Sequence, residues 1–375
     1  MSKTRRICLN MIVKNESHVI LRCLESVKDV IDYWVISDTG STDGTQEIIK
    51  NFFKKSKIAG FLTEDPWINF EHNRNNALSQ AKGHAKYILF MDADDHLEKS
   101  DGFRFNNLIT DSYFLKMERK GHSYATPKLV RDAVPWAWKG VLHEYLDADI
   151  DYTTETLSGP YCIRAPLEGA RSRNLNKYLD DAKVLETALV SDTGNARYRF
   201  YLAQSYRDSG CWAESLSNYE IRAGMGGWDE EVYYSLLEIA RNKKRLEHPE
   251  PKILEAYLEA HHYRPQRLEA IHEAVEMCRI GGNYHLGQLL GWDFRNEVKP
   301  SDVLFLEDDV YAWKFKDELS ICAAYATRAQ AAADMMAALL NSDKTPREQK
   351  PRLATNLRFA LMQVANSFAV PLQLP

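Results

Sequence analysis

Apolar positions along the chain follow two different periods. In the first hundred residues, short apolar runs alternate with amphipathic stretches, the pattern of a parallel sheet with covering helices. Ile7–Val13 is apolar except for Asn10 and predicts a strand buried on both faces. Ile20, Cys23, Leu24 and Val27 recur at i, i+3, i+4 and i+7 and predict a helix packed on that sheet. Residues 33–36 predict a second strand, which runs into Ser37, Asp38 and the polar, glycine-bearing loop 39–44. A helix with Ile48, Ile49, Phe52 and Phe53 turned inward follows, and Asp43 with Gln46 predicts a capping box at its start. Residues 58–62 and 87–91 predict two more strands, the last leading directly into Asp92-Ala93-Asp94-Asp95. This β-α-β-α-β-α-β order gathers polar residues after the strands, and open α/β sheets bind ligands at the carboxyl ends of strands.

From about residue 174 the period changes to helix after helix. Leu202, Leu236 and Ala270 are spaced 34 apart, as are Tyr206, Ala240 and Ala274. That is the spacing of tetratricopeptide-like helix pairs, although the usual Gly and repeat-ending Pro are mostly missing. Residues 301–375 continue as helices, with an Ala-rich stretch over 323–340 and a break at Lys344-Thr345-Pro346. The expected organisation is an α/β domain over 1–170 and an all-α helical-repeat domain over 171–375.

Composition narrows this picture without naming a function. The chain has 375 residues, 45% of them apolar and 27% charged, enough for two ordinary cores. A net charge of −5 lacks the overall basic footprint of phosphate-backbone binders, so nucleic acid is not indicated as a partner. No apolar run reaches the roughly 18 residues that a membrane span needs, and residues 1–6 show no secretory pattern, so a cytoplasmic location is expected. The six cysteines are scattered with no CxxC pair, which argues against a disulfide framework or a zinc site.

The chemistry concentrates in the first half. Asp92 and Asp94, two apart at a strand end, project to the same side, where two carboxylates can share a hard cation such as Mg2+ or Mn2+. Such an ion stabilises a departing diphosphate. A solvated Asp-rich turn is the bland reading of the same residues. Lys14-Asn15-Glu16 follows the first strand, Asp38 closes the second, and Asn73-Arg74-Asn75 is expected to open a helix and bring an Arg and a helix N-terminus near phosphates.

As a set, Met11-Ile12-Val13-Lys14-Asn15-Glu16, Val35 to Thr45, Arg74-Asn75 and Ile88 to Asp95 resemble the family 2 glycosyltransferases of the GT-A fold. The resemblance implies a Rossmann-like, mostly parallel GT-A domain and inverting transfer from a nucleotide sugar, usually a UDP-sugar, with Mn2+ or Mg2+ at the DxD. By position, it implies donor contacts from Val13, Asn15, Glu16, Asp38, Gly40, Arg74, Asp92 and Ala93. Asn73 departs from the Ala that commonly precedes the Arg-Asn pair. A second stretch, Trp136 to Glu144, is similar to the Trp-x-Gly-x-x-His-Glu segment of relatives that join a GT-A domain to tetratricopeptide-like helices, some of which glycosylate peptides. His143 is then the expected third metal ligand beside Asp92 and Asp94, Glu144 the expected general base and Asp147 the reserve base. Trp136 and Trp138 are read either as a sugar-stacking wall or as core. Arg164, Arg171, Arg173 and Lys177 are read as facing either pyrophosphate or an acidic acceptor, or else solvent.

The expected activity is metal-dependent transfer of a sugar to an acceptor hydroxyl or thiol. The acceptor, a peptide, protein or glycan, would be held by the helical domain, which could also form a homodimer. A degenerate GT-A scaffold and a nucleotidyltransferase are the competing readings. The first is disfavoured by the intact Asp92, Asp94 and His143, the second by the lack of a basic Gly-rich triphosphate loop.

Overall fold

The computed structural model describes residues 6–119 and 122–368. Contacts divide the chain into two compact units, Met1–Val190 and Ser191–Pro375. The first unit takes in nearly all of the helix over Lys177–Ser191, whose Asp181 pairs with Arg171.

The first unit contains β1 (Ile7–Val13), α1 (Ile20–Val27), β2 (Tyr33–Asp38), α2 (Thr45–Ser56), β3 (Ala59–Glu64), α3 (Phe70–Ala81) and β4 (Tyr87–Phe90). It continues through β5 (His96–Lys99), β6 (Ser112–Arg119), β7 (His122–Arg131), β8 (Ala137–Lys139), β9 (Tyr145–Asp147), β10 (Thr154–Thr156), β11 (Tyr161–Arg164) and α4 (Lys177–Ser191). The sheet order is β3-β2-β1-β4-β7-β6-β11-β5, with β10 beside β6. β3, β2, β1 and β4 run parallel, and β7 is antiparallel to both β4 and β6. Val13 lies opposite Asp38 and Asn10 opposite Phe90, so the chain leaves β1, β2 and β4 along one edge of the sheet.

The helical stripe is buried as expected, with Ile20, Cys23, Leu24 and Val27 fully covered. Asn10, the one polar residue of β1, is buried and donates to the Val35 carbonyl at 3.2 Å and the Ala77 carbonyl at 2.9 Å, tying α3 to the sheet. Two local expectations fail. Gly44, in the left-handed region at φ 90°, starts α2, while Asp43 binds Thr45 and Gln46 reaches Asp38 instead of closing a capping box. α3 begins at Phe70, capped by Asn69, whose side chain accepts from the His72 N–H. Arg74 therefore sits on the second turn and Asn73 does not open the helix. Asn73 is fully buried, accepts from the Ile68 N–H at 2.9 Å, and donates to Asp65 at 2.8 Å and to the Pro66 carbonyl at 3.1 Å. Its amide fixes the loop entering α3, which an Ala cannot do.

The second unit is built of α5 (Ala196–Asp208), α6 (Trp212–Gly224), α7 (Asp229–Arg245), α8 (Glu250–Tyr263), α9 (Glu269–Ile280), α10 (Tyr284–Gly291), α11 (Phe315–Tyr325), α12 (Ala329–Asn341) and α13 (Lys350–Phe368). Consecutive helices pair as hairpins in a tetratricopeptide-like manner. Leu202, Ala240, Ala270 and Ala274 of the 34-residue pattern are buried, but α5, α7 and α9 start at Ala196, Asp229 and Glu269, so the second interval is the longer. The Ala-rich stretch is not one helix, since α11 ends at Tyr325 and α12 starts at Ala329.

An irregular strap over residues 298–307 is held against three of these hairpins. Asp302 receives a bidentate fork from Arg264 at 2.6 and 2.7 Å, and Glu230 accepts from the Val303 and Leu304 N–H groups. Arg267 donates to the Leu304 and Phe305 carbonyls, the Phe305 ring lies 4.7 Å from that of Tyr234, and Arg241 holds Glu307. No helix among the described residues is long and apolar enough to cross a membrane, and no disulfide forms among them.

Candidate active site

The loops leaving β1 and β2 are laced together. Asn15, at φ 57°, donates from its N–H to Ser41 Oγ and accepts from the Thr42 N–H, while the Glu16 N–H donates to Thr45 Oγ1. Asp38 is almost fully buried. Its Oδ1 accepts from the Gly40 and Ser41 N–H groups and from Gln46, whereas its Oδ2 is buried without a hydrogen-bond partner. Gly40 sits at φ 106°, where a side chain would be strained.

A cavity of about 610 Å³ opens at the ends of β1 and β4. Of the residues singled out from sequence, Val13, Asn15, Glu16, Arg74, Asp92, Ala93 and Asp94 line it, together with Lys14, Arg171 and Lys177. Its aromatic wall comes from Trp67 and Phe70, which no sequence motif marked. Trp136 is core, with its indole donating to the Arg131 carbonyl, and Trp138 lies under the Arg74 guanidinium at 4.9 Å.

Arg74 organises the centre. Its Nε donates to Glu144 Oε1 at 2.6 Å and its terminal nitrogen to Asp92 Oδ1 at 2.8 Å. Lys128, on β7, reaches Asp92 Oδ2 at 3.2 Å and Asp95 Oδ2 at 3.4 Å. Burial opposes ionisation of Asp92, but Lys128 and Arg74 outweigh it and hold the carboxyl well below the usual carboxylate range. Burial pushes Asp95 up to about 6 against the pull of Lys128. Burial also raises Glu16, to about 7, opposed by the Ala170 N–H and reinforced by Asp94.

The segment after β11 crosses these carboxylates. The Gly169 N–H donates to Asp94 Oδ2 at 3.0 Å and the Ala170 N–H to Glu16 at 3.2 Å. A Cβ at Gly169 would stand 3.2 Å from Glu16 and 3.3 Å from Asp94, so glycine permits this close approach.

The expected metal set is not assembled. Among the described residues no three His, Cys, Asp or Glu side chains are grouped to hold a metal ion. Both oxygens of Asp92 already face cations, Asp94 Oδ2 is taken by a backbone N–H, and His143 is exposed, at φ 52°, outside the cavity lining. This arrangement does not fit a divalent ion shared by Asp92, Asp94 and His143. Asp147 is also outside the cavity, paired with Lys139 at 3.0 Å and with the Tyr152 hydroxyl at 3.2 Å.

The fold and the site define a GT-A-like α/β unit with a ligand cavity at its strand ends, followed by a tetratricopeptide-like helical unit. Residues 8–104 match the family described as Glycosyl transferase family 2, and the N-terminal unit carries a domain of that family. The chain is 38% identical over 93 residues to a TPR repeat-containing protein of Synechococcus elongatus, covering 24% of this chain and 21% of that one. It is 37% identical over 101 residues to the SPbeta prophage-derived glycosyltransferase SunS of Bacillus subtilis, covering 27% and 22%. These matches span about a fifth of each relative's length. Among solved structures, S. aureus TarS 1-349 in complex with UDP-GlcNAc aligns at a TM-score of 0.40 and 14% identity, over 65% of this chain and 92% of that one.

Proposed function

We propose that the first unit transfers a sugar, with inversion, from a nucleotide-sugar donor of the UDP-sugar class to an acceptor hydroxyl or thiol. The observation that carries this reading is the cavity bounded by Arg74 and Asp92 at the ends of β1 and β4, inside the stretch that matches the glycosyltransferase family. Asp38, which precedes the cavity-lining Thr39 but does not itself line the cavity, keeps a buried acceptor at Oδ2 without a donor, and a base N–H such as that of uracil is its proposed partner. Arg74 meets the donor's negative charge, and the Trp67–Phe70 wall covers its apolar faces. Glu144, outside the cavity lining two residues past the lining Leu142 and with Oε1 on Arg74, is the base proposed to take the acceptor proton at Oε2. The helical unit holds the acceptor, a peptide, protein or glycan, or pairs with a second copy. The site is assigned no step through a metal.

The test is release of UDP from a panel of UDP-sugars in the absence of acceptor, with and without added Mn2+. Slow hydrolysis of one donor, abolished in Arg74→Ala, is the expected result. No binding and no turnover of any donor would instead favour the scaffold reading, which the paired-off Asp92 also suits.

A further inference from the structure

Lys128 is a residue that neither the DxD motif nor the family match, which ends at residue 104, brings into view. It lies on β7, one position from the Leu89–Leu129 register pair, so the antiparallel neighbour of β4 delivers it to the end of that strand. Its side chain is 13% exposed, and its ammonium stands within 3.4 Å of two carboxylates, Asp92 and Asp95. Asp95 is itself 4% exposed on its side chain. A lysine is buried this deeply only with compensating charge, and three carboxylates within four positions tolerate one another only with a counter-cation nearby. Lys128 provides that cation from the chain itself.

The geometry points to Lys128 as a resident counter-ion that positions Asp92 for the donor and removes it from any metal-ligand set. Arg74 holds Oδ1 and Lys128 holds Oδ2, so the Asp92 carboxylate cannot turn, and it presents one fixed edge to the cavity. A dication brought to the same carboxylate would lie against the Lys128 ammonium and be repelled. Lys128 is absent from the cavity lining and so acts through Asp92 as a positioning residue. The donor-facing part of this inference rests on the glycosyltransferase reading, whereas the part about cations does not.

Two binding measurements by calorimetry on the full chain separate these parts. In the first, Mn2+ alone is titrated into the wild type and into Lys128→Met, which keeps the side-chain length and removes the charge. The variant is expected to bind Mn2+ about tenfold more tightly, because Asp92 becomes available beside Asp94. A merely structural lysine would not tighten metal binding when lost. In the second, UDP is titrated without metal. Lys128→Met is expected to lose about tenfold in affinity, and Lys128→Arg to retain most of it. Should Lys128→Met fail to fold, Lys128→Met with Asp95→Asn removes the buried charge pair together and is expected to show the same gain in Mn2+ binding. Unchanged Mn2+ affinity in the folded variant would overturn the counter-ion role. Wild-type protein that ignores UDP would count against the glycosyltransferase reading and leave the Mn2+ result standing.

Discussion

Arg74 on α3 and Glu144, 70 positions later, are joined by a 2.6 Å hydrogen bond from the guanidinium Nε to Oε1. The same guanidinium spans to Asp92, so one planar fork sets the orientation of two carboxylates. Lysine carries its donors on one nitrogen, without the planar fork of separate Nε and terminal N–H groups that holds Glu144 and Asp92 here. Arg74→Lys is therefore expected to lower kcat/KM for UDP-sugar hydrolysis by about 100-fold, nearly as far as Arg74→Ala. Recovery of most activity by the lysine variant would show that charge alone suffices.

Glu144→Gln tests the proton-transfer role separately. The amide oxygen still accepts from Arg74, so donor binding should persist while kcat falls by about 100-fold or more. A fall in donor affinity with kcat retained would assign Glu144 to holding Arg74 instead.

Asn73 should be a stability residue. Asn73→Ala deletes one acceptor and two donor contacts in a fully buried loop entry and leaves Asp65 facing a gap. The expected loss is about 2–3 kcal/mol, read from urea unfolding. Asn76→Ala, on the same helix and half-buried, serves as the control and should cost about 1 kcal/mol or less.

The helical unit should weaken in mild acid. His261 on α8 and His272 on α9 are buried, and burial holds both below the ordinary 6.5. His261 Nε2 and His272 Nδ1 have no hydrogen-bond partner. Below 6.5 the unfolded chain binds protons that the folded unit resists, so this contribution to stability is intact above 6.5 and is lost as the pH falls. Urea midpoints at about pH 7.5 and about pH 5.5 should differ less in His272→Asn than in the wild type. Equal differences would remove His272 from the account.

In the strap, Asp302 is buried against Arg264 and Arg267, and Arg267 is itself fully buried. Asp302→Ala strips Arg264 of the carboxylate it forks onto and removes one contact of Arg267, which keeps Glu269, and should cost about 2 kcal/mol. The neighbouring Val303, 77% exposed, should tolerate alanine within about 0.5 kcal/mol. Similar losses for both would mean that the strap is held by its backbone alone.

The parallel half of the sheet was legible because its strands and helices carry opposite periods over short windows, and the ends of β1, β2 and β4 could be placed for the same reason. Long-range partners were not legible. Nothing in the local pattern of residues 122–131 announces that Lys128 meets Asp92, since that meeting depends on β7 pairing antiparallel with β4. Asn73 looked like a helix opener because Asn favours caps, but Asn69 takes the cap and Asn73 spends its amide on the preceding loop. The spacing of Asp92 and Asp94 suggested a shared ion, yet spacing does not reveal which oxygens neighbouring Arg and Lys side chains and a backbone N–H will claim first.

Arrays of helical hairpins ordinarily lose stability one repeat at a time, because each repeat touches only its neighbours. The strap changes this, since Phe305 reaches the ring of Phe200, in α5, across three hairpins of chain. The second unit should consequently melt as one cooperative block rather than fraying from its α5 end. A hairpin could not be inserted or deleted between α5 and α10 without leaving the strap out of register with the Arg and Glu residues that hold it.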